Sequence, residues 1–179
     1  PKTWNEFLNV CEQLKQCGIT PLYFPTSVRF YVIGYFSYLM HRINGMDWYL
    51  GLLNGTIPYT DNGVYIALRE LQNLADKEYM VAREDDADIL RLGRRWLSGN
   101  YIAMNFVGDF WRARSWNYDP DDLAIFQFPI YNSSHSIIEA VTIRSAFIPV
   151  KSRSKLLAEQ YLRFASTEPF QSFRYRRGR

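Results

Sequence analysis

The sequence has 179 residues, 47% of them hydrophobic and 22% charged, a composition that supports a globular core and excludes wholesale disorder. The net charge is +3, and four arginines among the last six residues account for it, which excludes a basic nucleic-acid-binding face across the body. Aromatic residues make up 17% of the chain and suit either a large core or a surface that binds ring-shaped ligands.

The first predicted element is a helix. Thr3 and Glu6 have the spacing of a capping box, and apolar residues follow them at helical intervals. Gly18 can end this helix in the left-handed conformation. Cys11 and Cys17 are placed on it too far apart for a disulfide, so we expect two buried or half-buried free thiols.

The middle of the first half is predicted to be helical after a short strand, "ITPLYF". An aromatic helix is expected over residues 28–43, and its apolar run is too short to span a bilayer. The segment "MDWYLGLLNG" predicts a short helix, and Asp61 is placed to cap the helix after it. The apolar residues of that last helix are predicted to share one buried face: Val64, Leu68, Leu71 and Ala75.

The second half alternates predicted helices and strands, which indicates an α/β layered fold. The expected helices are "EDDADILRLGRRWLSG" and "SKLLAEQYLRFAST". The expected strands are "NYIAMNFV", "DLAIFQFPI" and one or two within "IIEAVTIRSAFIPV". The last helix is predicted to have one apolar face, formed by Leu157, Tyr161, Phe164 and Ala165.

Motifs for catalysis are absent from the sequence, which has no nucleophile elbow, phosphate-binding loop or dinucleotide-binding fingerprint. The two histidines and two cysteines have no metal-ligand spacing, so we expect neither a metal nor a cofactor. The acidic pairs 85–86 and 121–122 leave open a glycoside hydrolase with two carboxylates. Charge at a helix start and turn formation explain these pairs more simply.

The segment at 108–111 is the strongest candidate for a binding site. Gly108 permits a tight turn or a close ligand, and Asp109 can cap a helix whose free amides bind oxygens. Phe110 and Trp111 follow directly, and a flat ring can pack on the C–H face of a sugar. Spacing alone leaves two alternatives open, rings in the core or rings on a ligand.

Three stretches, in this order, resemble the family 1 extracellular solute-binding proteins of ABC importers, which include the maltodextrin-binding proteins. They are "PKTWNEFLNVCEQLKQCGITPLYF", "LSGNYIAMNFVGDFW" followed by "FQFPI", and "AFIPVKSRSKLLAEQYLRFASTEPFQ". The resemblance runs from Pro1 to about Gln171. It implies a periplasmic-binding-protein-like fold with two α/β lobes, of the class II type.

The resemblance also implies that the chain is an internal fragment that holds most of one lobe and part of the other. Residues 1–122 correspond to the C-terminal lobe, and 123–179 to a returning segment of the N-terminal lobe with a basic tail. The implied function is capture of a sugar or oligosaccharide for an ABC permease, without catalysis. The implied location is extracellular, periplasmic or cell-surface, with any lipid anchor outside this sequence.

Ligand residues follow from the family pattern M-x-x-x-G-x-W, whose tryptophan stacks on sugar. The pattern aligns with Met104, Gly108 and Phe110, and phenylalanine keeps the stacking face but lacks the indole N–H donor. Trp111 has no role assigned by the alignment and stays open between supporting core and cleft rim.

Further contacts are implied elsewhere in the chain. Tyr31 and Tyr35 fall in a second contact region of the family. A glycine pair that the family uses for close backbone contact falls near Thr142 and Ile143, and this chain departs from the pattern there.

Two other functions remain as alternatives. A glycan-acting hydrolase would use cleft carboxylates beside the same aromatic rings, with Asp109 as the candidate acid. RNA binding would use the tail, residues 172–179, in which arginine and aromatic residues interleave.

Overall fold

The computed structural model describes five ranges of the chain: residues 1–24, 29–81, 102–108, 124–141 and 145–177. Within these ranges lie six helices and three strands. In chain order they are α1 (Trp4–Gln16), β1 (Thr20–Tyr23), α2 (Arg29–Asn44), α3 (Met46–Leu53), α4 (Asn62–Asp76), β2 (Met80–Val81), β3 (Ile102–Asn105), α5 (Lys155–Ala165) and α6 (Glu168–Arg177).

The chain divides into two compact units. The described parts of the first unit are residues 1–24, 29–81, 102–108 and 124–138. Those of the second unit are residues 139–141 and 145–177. The predicted domain boundary at 122–123, like the predicted helix from residue 84 to 99, lies outside the described residues.

The first unit is built on a three-stranded parallel sheet with the strand order β2-β1-β3. In the central strand, Leu22 is in register with Met80 on one side and Met104 on the other. Parallel neighbours need a crossover connection, and the helices α2 to α4 supply it between β1 and β2. The α/β class predicted from the sequence is therefore present, although β2, only two residues long, was not predicted.

The ends of α1 confirm the capping prediction. The Thr3 hydroxyl accepts from the Glu6 amide at 3.3 Å, and the Glu6 carboxylate accepts from the Thr3 amide at 3.2 Å. At the other end Gly18 has φ +74°, the left-handed conformation expected for it. Asp61 likewise caps α4, since its carboxylate accepts from the Gly63 amide at 2.7 Å.

The two cysteines are free, as expected, but they differ in environment. Cys11 is buried, and burial raises the pKa of its thiol to about 12. Cys17 is exposed, so the prediction of a buried or half-buried thiol is wrong for this residue. Cys17 occupies the C-cap position of α1, beyond the last residue whose side chain packs on the core.

The core of the first unit is rich in aromatic rings. Trp4 stacks against Phe7 at 5.1 Å between ring centroids and against Phe128 at 6.0 Å. Its indole N–H donates to Glu70 at 2.9 Å, and the same carboxylate accepts from the Tyr131 hydroxyl at 3.0 Å. The start of α1 is thereby joined to α4 and to the segment that contains residues 128–131.

The buried face of α4 differs from the prediction. Val64 is buried as expected and Leu71 packs on the core, but Leu68 is 47% exposed. Ala75 is exposed as well, and Ala67 and Leu74 are fully buried instead. The buried face follows the helical spacing 64, 67, 71 and 74. Residues 67 and 68 both fit helical spacing after residue 64, and the packing of α4 on α2 selects residue 67 for burial.

The predicted strand "DLAIFQFPI" has no ladder among its described residues. Ile130 forms a single parallel bridge with Thr3, and its amide donates to the Lys2 carbonyl at 2.8 Å. Within 137–141 and 145–150 no strand is present either. A segment becomes a strand only when its backbone pairs with a neighbouring segment. Among the described residues, Ile130 has one such pairing and residues 137–141 and 145–150 have none.

The second unit consists of α5 and α6 with the segment that precedes them. The predicted helix "SKLLAEQYLRFAST" is confirmed as α5, and Phe164 contacts Phe170 of α6 at 4.9 Å between ring centroids. No residue of α5 is buried. Its large apolar side chains are exposed: Leu156, Leu157, Tyr161 and Phe164. Of the described helices, none combines the length and apolar character needed to cross a membrane.

A polar contact joins α1 to the start of β2. The Tyr79 hydroxyl donates to the Glu12 carboxylate at 2.7 Å, and Tyr79 is otherwise buried. This hydrogen bond lowers the pKa of Glu12, while burial and the same bond raise the pKa of Tyr79 to about 12. Lys15 adds a salt bridge with Glu78 at 3.0 Å.

The capping box should contribute measurably to stability. We expect Thr3→Ala to lower the free energy of unfolding by about 1 kcal/mol, because the amides at the start of α1 lose an acceptor. Urea unfolding followed by circular dichroism measures the effect, with the exposed Thr60→Ala as a control that leaves the midpoint unchanged. Equal midpoints for both variants would contradict the prediction.

The Tyr79–Glu12 contact should make stability depend on pH. Folding lowers the pKa of Glu12 below its ordinary value of 4.5. The contribution of Glu12 to stability is therefore complete above about pH 4.5, and it is lost as pH falls through the pKa that Glu12 has in the folded protein. We expect Tyr79→Phe to lower Tm at pH 7, and the difference from wild type to narrow in acid. Thermal unfolding from pH 7 to pH 3 tests this, with the exposed Tyr59→Phe as control. A constant difference across that range would contradict it.

Candidate ligand-binding site

The carboxyl ends of the three parallel strands meet at one edge of the sheet. Tyr23 ends β1 and Asn105 ends β3, and the two residues are in register. In open α/β sheets ligands bind at this edge. Gly108 follows closely after β3, and α2, which begins at Arg29, is the first helix after β1. The two contact regions predicted from the sequence therefore adjoin the same edge.

Tyr31 lies in the first turn of α2 and packs on the end of β1. It is only 1% exposed. Its ring meets that of Tyr23 edge-on, with 6.0 Å between centroids, and that of Phe30 at 5.8 Å. Tyr31 is thus placed as a buried support of the sheet edge, with its ring in contact with other rings.

Tyr35 lies one turn further along α2 and is also buried, at 2% exposed. Its ring contacts Phe24 at 5.3 Å, Phe106 at 4.8 Å and Phe128 at 6.1 Å. Burial raises the pKa of Tyr35, so the hydroxyl stays protonated at neutral pH. Tyr35 therefore holds together the ends of β1 and β3.

The chain leaves β3 along the surface of α2. Phe106 packs on that helix between Tyr35 and Tyr38, with ring centroids 4.8 Å and 5.0 Å away. This approach depends on Gly34, because a Cβ there would come within 2.7 Å of the Phe106 ring. The contact sets the direction of the segment that leads to Gly108, which is half-buried.

Asn105 is a polar residue at this edge that belongs to no sequence motif. The residue is half-buried, and its Oδ1 atom is buried and accepts no hydrogen bond from the described residues. Asparagine is uncommon in strands, so its position inside "NYIAMNFV" was the signal that could have revealed it.

Of the six residues predicted to bind ligand, the structure describes Gly108, Tyr31 and Tyr35. The other three lie outside the described residues: Asp109, Phe110 and Trp111. Thr142 and Ile143, where the family pattern has a glycine pair, also lie outside them.

The opposite end of α2 carries a buried cation. Arg42 is 3% exposed, donates to the Ile138 carbonyl at 2.8 Å and lies over the Tyr38 ring at 5.5 Å. Eleven residues of helix, or about 16 Å, separate it from Tyr31. Arg42 therefore fixes the segment near residue 138 to α2 and lies away from the sheet edge.

The described ranges contain no metal site, and a further groove within them lies along α4. No three histidine, cysteine, aspartate or glutamate side chains there are grouped to hold a metal ion. A groove along the outer face of α4 includes Tyr65 and Arg69, whose guanidinium lies 5.9 Å from the tyrosine ring. That groove contains none of the predicted ligand residues.

Comparison with known sequences identifies no relative. No protein-family model matches the chain, and no curated protein sequence matches it significantly.

Comparison with solved structures does find similar proteins. The chain is similar to the bacterial solute receptor AcbH, described as having an exclusive preference for β-D-galactopyranose, with 25% identity and a TM-score of 0.66. The match covers 75% of this chain and 33% of AcbH. A chitin oligosaccharide binding protein matches at 24% identity and a TM-score of 0.65, over 73% of this chain and 33% of that protein.

A third similar structure covers more of the chain. It is a sugar transporter protein from Bacillus licheniformis solved in complex with stachyose, with 14% identity and a TM-score of 0.64. The match includes 95% of this chain and 46% of that protein. The chain thus spans from a third to under half of these three structures, and it has, in part, the α/β fold of sugar-binding solute receptors.

Proposed function

We propose that the chain is part of the substrate-binding component of an ABC importer and captures an extracellular sugar or oligosaccharide. The observation that carries the proposal is the fold shared with AcbH and the chitin oligosaccharide binding protein. The sequence resemblance to family 1 solute-binding proteins supports it independently. The proposed partner is an ABC permease, and the proposed location is extracellular, anchored at the cell surface or periplasmic.

The proposed binding chemistry is aromatic stacking combined with hydrogen bonds to hydroxyl groups. Phe110 provides a flat apolar face for the C–H face of a sugar ring. Gly108 lets the backbone approach the ligand closely, and Asp109 offers a carboxylate to hydroxyl groups. Trp111 flanks this contact.

The two tyrosines of α2 have an indirect part in the proposal. The buried rings of Tyr31 and Tyr35 hold the sheet edge in place through Tyr23 and Phe106. A rigid edge favours binding, because side chains that are already ordered lose less conformational entropy when the ligand arrives. In the intact receptor, closure around the sugar would shift the population toward the form that the permease accepts.

Stacking on Phe110 should contribute measurably to affinity. We expect calorimetry of the intact receptor that contains this chain to show binding of at least one sugar from a panel of D-galactose, chitotetraose, xylotetraose and stachyose. Phe110→Ala should weaken that binding about tenfold, which corresponds to about 1.4 kcal/mol of lost ring contact. The control is Phe147→Ala, which removes a ring that is 83% exposed in the second unit.

The outcomes of this experiment separate two parts of the proposal. If none of the four sugars binds the wild-type protein, the carbohydrate ligand is wrong. If a sugar binds equally well to wild type and Phe110→Ala, the ligand class stands and the stacking role of Phe110 is wrong.

A binding protein should leave its ligand intact, whereas the alternative, a glycan hydrolase, requires turnover. We expect no new reducing ends after prolonged incubation of the protein with chitotetraose, xylotetraose or stachyose, assayed by chromatography of the products. Asp109→Asn should give the same chromatogram as wild type. Hydrolysis by wild type that disappears in Asp109→Asn would establish the enzyme instead.

A further inference from the structure

Asn105 lies at the sheet edge where ligands bind in α/β folds, and it has a buried polar atom. It ends β3 at the carboxyl edge of the sheet, and the residue as a whole is half-buried. Its Oδ1 is buried and receives no hydrogen bond from any residue in the described ranges. A buried acceptor without a donor is rare in folded proteins and destabilises them, so such an atom needs an explanation.

The neighbours of Asn105 are aromatic. Asn105 pairs with Tyr23 across the β1–β3 ladder, which places the two side chains on the same face of the sheet. Tyr31 meets the Tyr23 ring edge-on, and the hydroxyl oxygens of both tyrosines are buried as well. A polar carboxamide is therefore kept among rings where an apolar side chain would pack with less cost.

We propose that Asn105 is a ligand-binding residue whose Oδ1 accepts a hydrogen bond from a sugar hydroxyl. The inference rests on the proposed function and adds to it a polar residue that the sequence resemblance did not assign. A carboxamide suits this role, because it has an acceptor and two donors, and each sugar hydroxyl is both a donor and an acceptor. One asparagine can thus bind two adjacent hydroxyls.

Such a contact would contribute to specificity. A site built around a hydrogen bond rejects an analogue that lacks the hydroxyl, because the polar group of the protein is then left without a partner. Asn105 should consequently discriminate among sugars by the presence of one hydroxyl, whereas the stacking surface proposed at Phe110 accepts many rings.

The test compares Asn105→Ala and Asn105→Val with wild type, by calorimetry with the same four sugars. We expect binding of the best sugar to weaken about tenfold in both variants. Valine has a high strand propensity and no side-chain polar atom, so it preserves the strand if alanine does not fold. Asn73→Ala, on α4, is the control and should bind as wild type does.

Two further readouts separate a binding role from a structural one. Among the monodeoxy analogues of the best sugar, one should bind wild type about tenfold more weakly than the parent sugar does. The same analogue should bind Asn105→Val as tightly as the parent sugar does. Asn105→Val should also leave Tm unchanged or raise it, because no hydrogen bond within the described residues is lost. Asn44→Ala should lower Tm, since Asn44 donates to the Met40 and Gly63 carbonyls at 3.0 and 3.3 Å.

The possible results discriminate between the inference and the proposed function. Equal binding by wild type and both Asn105 variants would overturn the inference and leave the proposed function in place. A fall in Tm for Asn105→Val as large as that of Asn44→Ala would overturn it too, by showing a structural role. Absence of binding by wild type to every sugar would overturn the proposed function and, with it, this inference.

Discussion

The packing of Phe106 on α2 is the contact on which the arrangement of the sheet edge depends. Gly34 leaves the space for the ring, and Tyr35 and Tyr38 close around it. Phe128 joins the same cluster at 5.5 Å from Phe106, so a distant part of the chain is held there as well. Because one ring is shared by three separate segments, a change at this point would move all of them together.

Local signals in the sequence were sufficient for much of the first unit. The capping box of Thr3, the left-handed Gly18 and the cap at Asp61 depend only on neighbours within one turn, and all three are present. Among the described residues of "DLAIFQFPI", 124–130, only Ile130 pairs with another segment, because pairing is decided by distant residues. The exposure of Leu68 likewise follows from the packing of α4 on α2.

The candidate site was predictable only in outline. The sequence predicts two contact regions, and the structure brings the ring of Tyr35, in one of them, to 4.8 Å between centroids from that of Phe106, next to the other. It could not distinguish a ring that contacts a ligand from a ring that contacts other rings, because tyrosine serves both uses. Asn105 was missed for a related reason, since the absence of a hydrogen-bond partner is a property of the folded surroundings and has no sequence motif.

The apolar side chains on α5 bear on how this chain behaves in solution. Leu156, Leu157, Tyr161 and Phe164 are each more than half exposed. Burying a large apolar side chain stabilises a protein by about 1.5–3 kcal/mol. The exposed side chains of α5 do not contribute this stabilisation. Salts such as sulfate strengthen the tendency of apolar side chains to be buried, and urea weakens it. Solvent composition therefore sets how strongly the exposed face of α5 favours burial.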